Sequence, residues 1–249
     1  MFRHRAWMST AAYWTGLAAL VSLLWRDVGE GPWQGIWQGT WLLMTITYLS
    51  ASVTISVGYH RLFCHGAFAA NAFWHRLFAV TGVLFMYSSP LQWAVTHATH
   101  HRHSDTELDP HPKPRDALIF KGYRDVPLDT WAAKRLLRRS GQFHLWVDRY
   151  YLLIYAALVA GLWLLSPSFV INVYGPVLGV AHFVGGMHNL VSHGNGHPRD
   201  LAWMEFVLPA SGEWLHGHHH RHPGRWCFAS RWWHWDLGAL VVKTIGKTP

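Results

Sequence analysis

The chain has 249 residues, of which 51% are hydrophobic and only 14% are charged, whereas about 25% are charged in an ordinary soluble protein. Its formal net charge is +8, but it has neither a basic stripe with interleaved aromatic residues nor zinc-finger spacing, so a nucleic-acid partner is not expected. A basic cytoplasmic face on a membrane protein explains the charge better, and the 17 tryptophans are typical of chains that meet lipid headgroups.

Four segments are apolar enough to be predicted as transmembrane helices, at about residues 9–25, 39–57, 150–165 and 168–187. Ser166 and Pro167 alone separate the last two, which predicts a tight antiparallel hairpin. A cleaved signal peptide is the alternative for the first segment, but no clear small-residue cleavage site follows it and further apolar segments do.

A fifth apolar segment, near residues 72–88, is predicted to be an interfacial or re-entrant helix. If it crossed the bilayer, His60 and His65 would be separated from the histidines at 97–101. If it does not cross, 20 of the 21 lysines and arginines lie on one side, as the positive-inside rule requires. The sequence therefore predicts one all-α integral membrane domain over residues 1–249. It would have four transmembrane helices, cytoplasmic termini and a cytoplasmic helical cap.

Nine histidines lie at the predicted cytoplasmic ends of helices and recur at regular spacings. They form one H-x4-H pair, two H-x2-HH boxes and a single histidine four residues after Asn189: His60 and His65; His97, His100 and His101; His216, His219 and His220; and His193. Nine imidazoles are costly to bury without a partner, and they suit two metal ions with four or five nitrogen ligands each. Two redox metals above a membrane favour oxygen activation.

Helix geometry gives these spacings a meaning. At about 100° per residue, an H-x2-HH box places three rings on one face, and its last two rings diverge enough to serve two neighbouring metals. The H-x4-H pair requires its helix to end, loosen or bulge between the two rings. Ser89 is predicted as the N-cap of the helix under the second box, with Pro90 at the first helical position. In the third box, the same register turns His218 away from the metals.

The motifs appear in a fixed order over roughly residues 40–240: GYHRLFCH, HATHHRHSDTELDPH, NLVSHG, GEWLHGHHHRHP and WHWDLG. In these motifs the chain resembles the membrane fatty acyl desaturases, and most closely their stearoyl-CoA, or delta-9, branch. The resemblance implies a di-iron centre with the nine histidines as ligands and Asn189 holding a metal-bound water. It also implies that Asp105 and Asp109 support the second box from behind.

The activity implied by this resemblance is the O2-dependent insertion of a cis double bond into an acyl chain. That chain would be carried as an acyl-CoA, an acyl-carrier-protein thioester or an acyl lipid. Electrons are expected from a separate ferredoxin, rubredoxin or small haem protein. A related hydroxylase, an acetylenase and a terminal-alkene-forming enzyme remain alternatives, and a metal-binding membrane transporter is a remote one. A bacterial inner membrane is the expected location.

Several further residues are candidates for supporting roles. His111 is expected to form hydrogen bonds near the second box, and Trp93 and Trp214 are close enough to the boxes to be candidates for a substrate tunnel. Arg115 and Lys121 belong to a basic region that could bind the phosphates of CoA, of a carrier-protein arm or of lipid. Outside the boxes, His182 is expected to be a core histidine, with a position lining the substrate tunnel as the alternative. His75 and His144 are expected at the surface or in the interface.

Overall fold

The computed structural model describes residues 10–11, 13–19, 21–22, 36–111, 113, 123–194 and 196–248. Among them there are helices and loops but no strand, so the predicted all-α class is confirmed for this part of the chain. The α-helices, numbered here in chain order, are α1 (Ile36–Val53), α2 (Ala72–Leu84), α3 (Pro90–His103), α4 (Trp131–Ser140), α5 (Phe143–Arg149), α6 (Tyr151–Leu165), α7 (Pro167–Phe169), α8 (Gly175–Ser192), α9 (Met204–Val207), α10 (His216–Arg221) and α11 (Leu237–Ile245).

Two continuous helical segments of the described chain are long and apolar enough to cross a membrane, Gly39–His65 and Pro167–Ser192. They coincide with the second and fourth predicted spans and extend them toward the histidines. Helices α5 and α6 make a third candidate if the pair, bent by 82°, is one span. The first predicted span lies only partly within the described residues, and those described there, 10–11, 13–19 and 21–22, are helical.

Helix α1 continues without a break as a π-helix, Thr54–His65, which carries the H-x4-H pair. In a π-helix the backbone hydrogen bonds run from i to i+5, so residues five apart lie on nearly the same face. The rings of His60 and His65 are accordingly 4.9 Å apart. The predicted loosening between these two histidines is thus confirmed. It extends over twelve residues rather than one turn.

Helix α2 brings the chain back to the end of the π-helix. It has thirteen residues and is not among the described helices that could span a membrane. The rings of His65 and His101, which precede and follow it in the chain, are 4.6 Å apart. Helix α3 then begins at Pro90, and the Ser89 hydroxyl accepts a hydrogen bond from the backbone N–H of Gln92. The predicted N-cap at Ser89 is therefore confirmed.

The main core lies between the π-helix, α2, α3 and the helices that pack on them. Tyr59, Phe63 and Phe78 are almost completely buried there. The close approach depends on Gly58, because a Cβ atom at this position would lie 2.6 Å from the Cβ of Phe78. This packing holds the two N-terminal histidine motifs side by side.

Candidate metal centre and cavity

The nine histidines selected by their spacing lie together in two adjacent groups. Each histidine offers one ring nitrogen, and within a group these nitrogens all lie within 4.8 Å of one another. The first group comprises His60, His65, His97, His101 and His219, and the second comprises His100, His193, His216 and His220. The boxes on α3 and α10 both divide between the groups, because neighbouring residues of a helix point about 100° apart. The structure thus assembles rings from four separate stretches of the chain.

The nitrogens of these rings face one another at short range. In the first group, the Nε2 atom of His219 lies 2.8 Å from Nε2 of His60 and 2.9 Å from Nε2 of His101. In the second group, Nε2 of His216 lies 2.6 Å from Nε2 of His193 and 3.0 Å from Nε2 of His220. Imidazole nitrogens bound at about 2.1 Å to one ion and at right angles to each other would be about 3 Å apart. The spacing of the rings therefore fits metal coordination.

In two rings, the nitrogen that points away from the group is hydrogen-bonded to a carboxylate. This contact shows which ring nitrogen directs a lone pair toward the group. His100 Nδ1 lies 2.8 Å from Asp109 Oδ2, and His193 Nδ1 lies 3.0 Å from Asp105 Oδ2. A carboxylate can only accept, so each Nδ1 carries the hydrogen and each Nε2 of the neutral ring presents a lone pair to its group. Lone pairs that converge in a buried space repel one another unless a cation lies between them. The donor set thus fits two bound metal ions.

Asp109 organises the loop after α3 as well as the ring of His100. Its carboxylate accepts hydrogen bonds from the backbone N–H groups of Asp105 and His111, at 3.0 and 2.9 Å. The ring of His111 also contacts it, with Nδ1 3.3 Å from Oδ1. Asp109 and His111 therefore lie behind the second box, whereas the Asp105 carboxylate accepts from His193, which is outside that box. Their influence on a bound metal stays a prediction.

A third carboxylate, Glu213, was not identified from the sequence. Its Oε2 lies 2.6 Å from His60 Nδ1, and its Oε1 lies 2.5 Å from the hydroxyl of Ser56. Glu213 precedes the third box by three residues, whereas His60 lies 153 positions earlier in the chain. No local spacing links the two, so only the fold reveals the contact.

Burial controls the protonation of the site. It lowers the pKa of His101 to about 3, and it also lowers the pKa of His97, His216 and His219, so these rings are neutral at pH 7. Burial raises the pKa of Asp109, but the hydrogen bonds from His100 and His111 outweigh it and leave the pKa below its usual range. Neutral imidazoles beside ionised carboxylates are the protonation states that metal binding requires.

Burial raises the pKa of Glu213 to about 8, although the charge of Arg61 and the hydrogen bond from Ser56 oppose the shift. This carboxyl group also lines the cavity beside the histidines. It can therefore exchange a proton near neutral pH at the wall of the site.

A cavity of about 250 Å³ opens from the two histidine groups into the helices. Trp93 lines it and stacks on His97, with ring centroids 4.5 Å apart. Asn189 lines it as well, beside His188, whose Nε2–H donates to the carbonyl of Glu213. The deeper wall includes Tyr48, Ile55, Tyr87, Ala181 and His182. The arrangement can hold a slender, largely apolar molecule against the histidine groups.

Trp214, the second tryptophan candidate, does not line this cavity. Trp214 is completely buried behind it, where its indole N–H donates to the carbonyl of Leu208. The structure thus places Trp214 outside the wall, and Trp93 alone of the two tryptophans faces the cavity. Arg115 and Lys121 lie outside the described residues.

Comparison with curated proteins shows what the chain is similar to. It is 27% identical to an sn-2 palmitoyl-lipid 9-desaturase of Nostoc sp. strain 36, over 86% of this chain and 82% of the relative. It is 26% identical to an sn-1 stearoyl-lipid 9-desaturase of Anabaena variabilis, over 81% of this chain and 78% of the relative. A hex-5-enoyl-[acyl-carrier protein] acetylenase of Moorena producens is 22% identical over 93% of this chain and 79% of its own length. No protein-family model matches.

The chain is therefore similar to membrane fatty acyl desaturases along most of its length. These desaturase relatives are oxidoreductases. The predicted resemblance is confirmed by the named relatives, which align along most of the sequence.

The last family motif, WHWDLG, joins the C-terminal region to the histidine-bearing π-helix. Asp236 forms a 2.9 Å ion pair with the fully buried Arg61, which follows His60 directly. The same carboxylate accepts from the backbone N–H of Ala239, at the start of α11, and from that of Phe228. The Arg61 guanidinium lies 3.9 Å from the centre of the Phe228 ring. This motif thus holds the backbone beside His60.

Two histidines outside the boxes lie where the sequence did not predict them. His75 and His144 were expected at the surface or in the interface, and this is wrong, because both are buried. They contact each other, with His75 Nδ1 3.3 Å from His144 Nε2, and both rings pack on Phe63. This contact pairs one nitrogen of each ring, whereas His144 Nδ1 is buried without a hydrogen-bond partner among the described residues.

Proposed function

We propose that the protein inserts a cis double bond into a fatty acyl chain, using O2 and two iron ions held by the nine histidines. The observation that carries this proposal is the convergence of nine neutral imidazoles into groups of five and four, with Nε2 atoms 2.6–3.3 Å apart. The family relationship supports the reaction, since the named relatives include lipid 9-desaturases.

Iron, when bound, supplies the oxidising power that side chains lack for breaking an unactivated C–H bond. The protein's own residues position and shield that chemistry. Asp105, Asp109 and Glu213 hold the rings of His193, His100 and His60 by hydrogen bonds to Nδ1. Such outer hydrogen bonds orient imidazole ligands and raise their basicity. Asn189 lines the cavity beside both groups and would hold a water molecule at the centre.

The cavity supports an acyl substrate. Its wall combines the histidine groups with Trp93, Ile55 and Ala181, so methylene groups would pack against apolar surface directly beside the ligands. The carrier would be CoA, an acyl carrier protein or a membrane lipid, with Arg115 and Lys121 as candidates for binding its phosphate groups.

For the membrane arrangement, we propose four transmembrane helices with both termini and the histidine cap on the cytoplasmic side. The charge asymmetry of the sequence supports this orientation. A bacterial inner membrane would be the location, and a separate ferredoxin, rubredoxin or small haem protein would deliver the electrons.

The proposed function is tested by lipid profiling of a host that expresses the protein, with His100→Ala as the inactive control. The expected result is a new cis-monounsaturated acyl chain, detected by gas chromatography and mass spectrometry, that the control lacks. A hydroxylated product without any alkene would contradict the desaturase proposal.

An acetylenic product is the second candidate, because one named relative is an acetylenase that aligns along 93% of this chain. The same mass spectra distinguish the two outcomes, since an alkyne has two hydrogens fewer than the corresponding alkene. Feeding the host with a monounsaturated acid would reveal this second activity directly.

A further inference from the structure

The deep wall of the cavity carries a polar group that the proposed reaction does not use. His182 lies on α8, within the helical segment Pro167–Ser192 that could span a membrane, and only 8% of its surface is accessible. It lines the same cavity as the histidine groups. A buried histidine in an apolar wall is costly unless both of its ring nitrogens find partners.

One nitrogen of His182 is satisfied by the protein. Its Nε2 lies 2.9 Å from the carbonyl oxygen of Phe85. A carbonyl oxygen can only accept, so Nε2 carries the hydrogen, and in a neutral ring Nδ1 then presents a lone pair. No described residue donates a hydrogen bond to this Nδ1. The atom is also not among the inaccessible buried nitrogens that lack a partner. The cavity is therefore where its partner must come from.

Tyr87 adds a second unused polar group at the same depth. It lines the cavity, and its ring centroid lies 5.4 Å from that of His182. No described residue forms a hydrogen bond with its phenol group, whereas the neighbouring Tyr48 donates to the carbonyl of Pro209. One acceptor and one hydroxyl thus face the cavity together, where an acyl chain would need only apolar contacts.

The position of this pair relative to the metal centre follows from the helix that carries it. His182 lies seven residues before Asn189 on the same α-helix, which corresponds to roughly 10 Å along the helix axis. The pair is therefore several methylene groups deeper than the reacting carbons, on the methyl side of an acyl chain that enters past the histidines.

We infer that the acyl substrate carries a hydroxyl group on its methyl side, which donates a hydrogen bond to His182 Nδ1 and accepts one from Tyr87. This inference rests on the proposed function, because it assumes that an acyl chain occupies the cavity. A site that hydrogen-bonds a substrate hydroxyl discriminates against the chain that lacks it, since burying the unsubstituted chain leaves polar groups unpaired.

The first test measures binding to the purified, metal-free full chain, so that it does not depend on catalysis. Palmitic acid and its positional hydroxy isomers would compete with a pyrene-labelled fatty acid for the cavity. We expect one methyl-side isomer to bind about tenfold more tightly than palmitic acid. Equal affinity for palmitic acid and for every hydroxy isomer would overturn the inference.

Variants locate the preference. His182→Phe keeps an aromatic ring but removes the acceptor, and we expect it to abolish the preference while leaving the affinity for palmitic acid equal or higher. His182→Asn, whose Oδ1 can occupy the place of Nδ1, should retain part of it. Because His182 also binds the carbonyl of Phe85, its replacement can impair folding. Tyr87→Phe is therefore the second test variant, and it should reduce the preference for the hydroxy isomer over palmitic acid severalfold.

Product analysis separates this inference from the proposed function. The expressing host is fed with palmitic acid or with the preferred hydroxy isomer. A desaturated hydroxy product in excess supports both proposals. Desaturation of palmitic acid alone leaves the proposed function intact and overturns the inference. A binding preference without any unsaturated product would contradict the function but not the hydroxyl site.

Discussion

At the scale of single residues, the site consists of rings and the carboxylates that hold them. The spacing of the nine histidines was sufficient to select them, because helical geometry converts i, i+3 and i+4 into one face. The carboxylate Glu213 could not be selected in this way, since its contact with His60 is created by the fold across 153 positions. His182 was expected in the core, with the tunnel wall as the alternative, and the structure shows a buried ring that lines the cavity.

Asp109 offers a test of the carboxylate support. Asp109→Asn replaces the acceptor of the His100 Nδ1–H bond with a neutral amide, so the ring loses orientation and basicity. We expect the affinity for iron to fall about 10- to 100-fold, measured by competition with a chelator. Glu107→Gln is the matched control: this neighbouring carboxylate is exposed and pairs only with Lys113 and Arg124 among the described residues. Equal losses in both variants would contradict the account.

The third box allows a test of register. His220 belongs to the second group, whereas His222, two residues later, is exposed and its ring packs on His218. His220→Ala should lower the iron content of the purified protein by about one ion per chain, while His222→Ala should leave it unchanged. If His222→Ala removed metal and His220→Ala did not, the predicted register would be wrong.

At the scale of elements, the π-helix is the feature that brings His60 and His65 into one group. The sequence predicted that the helix must loosen there, because i and i+5 diverge on a straight α-helix, but it did not predict twelve π-helical residues. The segment packs against α2 and forms the Arg61–Asp236 ion pair, whose partners lie 175 positions apart. Local sequence carries no signal for either contact.

Gly58 tests this packing directly. In Gly58→Ala, the new methyl group would lie 2.6 Å from Cβ of Phe78, so α2 must move away from the π-helix. We expect a loss of about 1–3 kcal/mol in the free energy of unfolding, measured by thermal denaturation in detergent, together with weaker iron retention. Gly161→Ala is the control, because nothing lies within 4 Å of its added methyl group. A Gly58→Ala protein as stable as the wild type would show that the close packing is unimportant.

At the scale of the whole molecule, the fold gathers distant polar residues at one end of long apolar helices. Hydropathy predicted the membrane helices near 39–57 and 168–187, and the structure extends both toward the histidines. The bend of 82° between α5 and α6 was not predicted; it lies at Tyr150, where the predicted third span begins.

The protonation states predict how the whole molecule responds to acid. Burial lowers the pKa of His101 to about 3 and lowers that of other site rings, against about 6.5 in the unfolded chain. Between these values the unfolded state binds more protons than the folded state, so stability falls as the pH decreases below about 6.5. We expect the melting temperature and the iron content to decrease as the pH falls from about 6.5 toward 5. A melting temperature that rose over this acidic range would contradict the assigned neutral rings.

The central claim is that nine histidines from four parts of the chain hold two iron ions. The most direct measurement is the metal content of the purified full-length protein by inductively coupled plasma mass spectrometry, with protein concentration determined by amino-acid analysis. We expect about two iron ions per chain. The iron content should be lower in His219→Ala and in His220→Ala. A protein that retained zinc in place of iron, or that kept its full iron content in both variants, would contradict it.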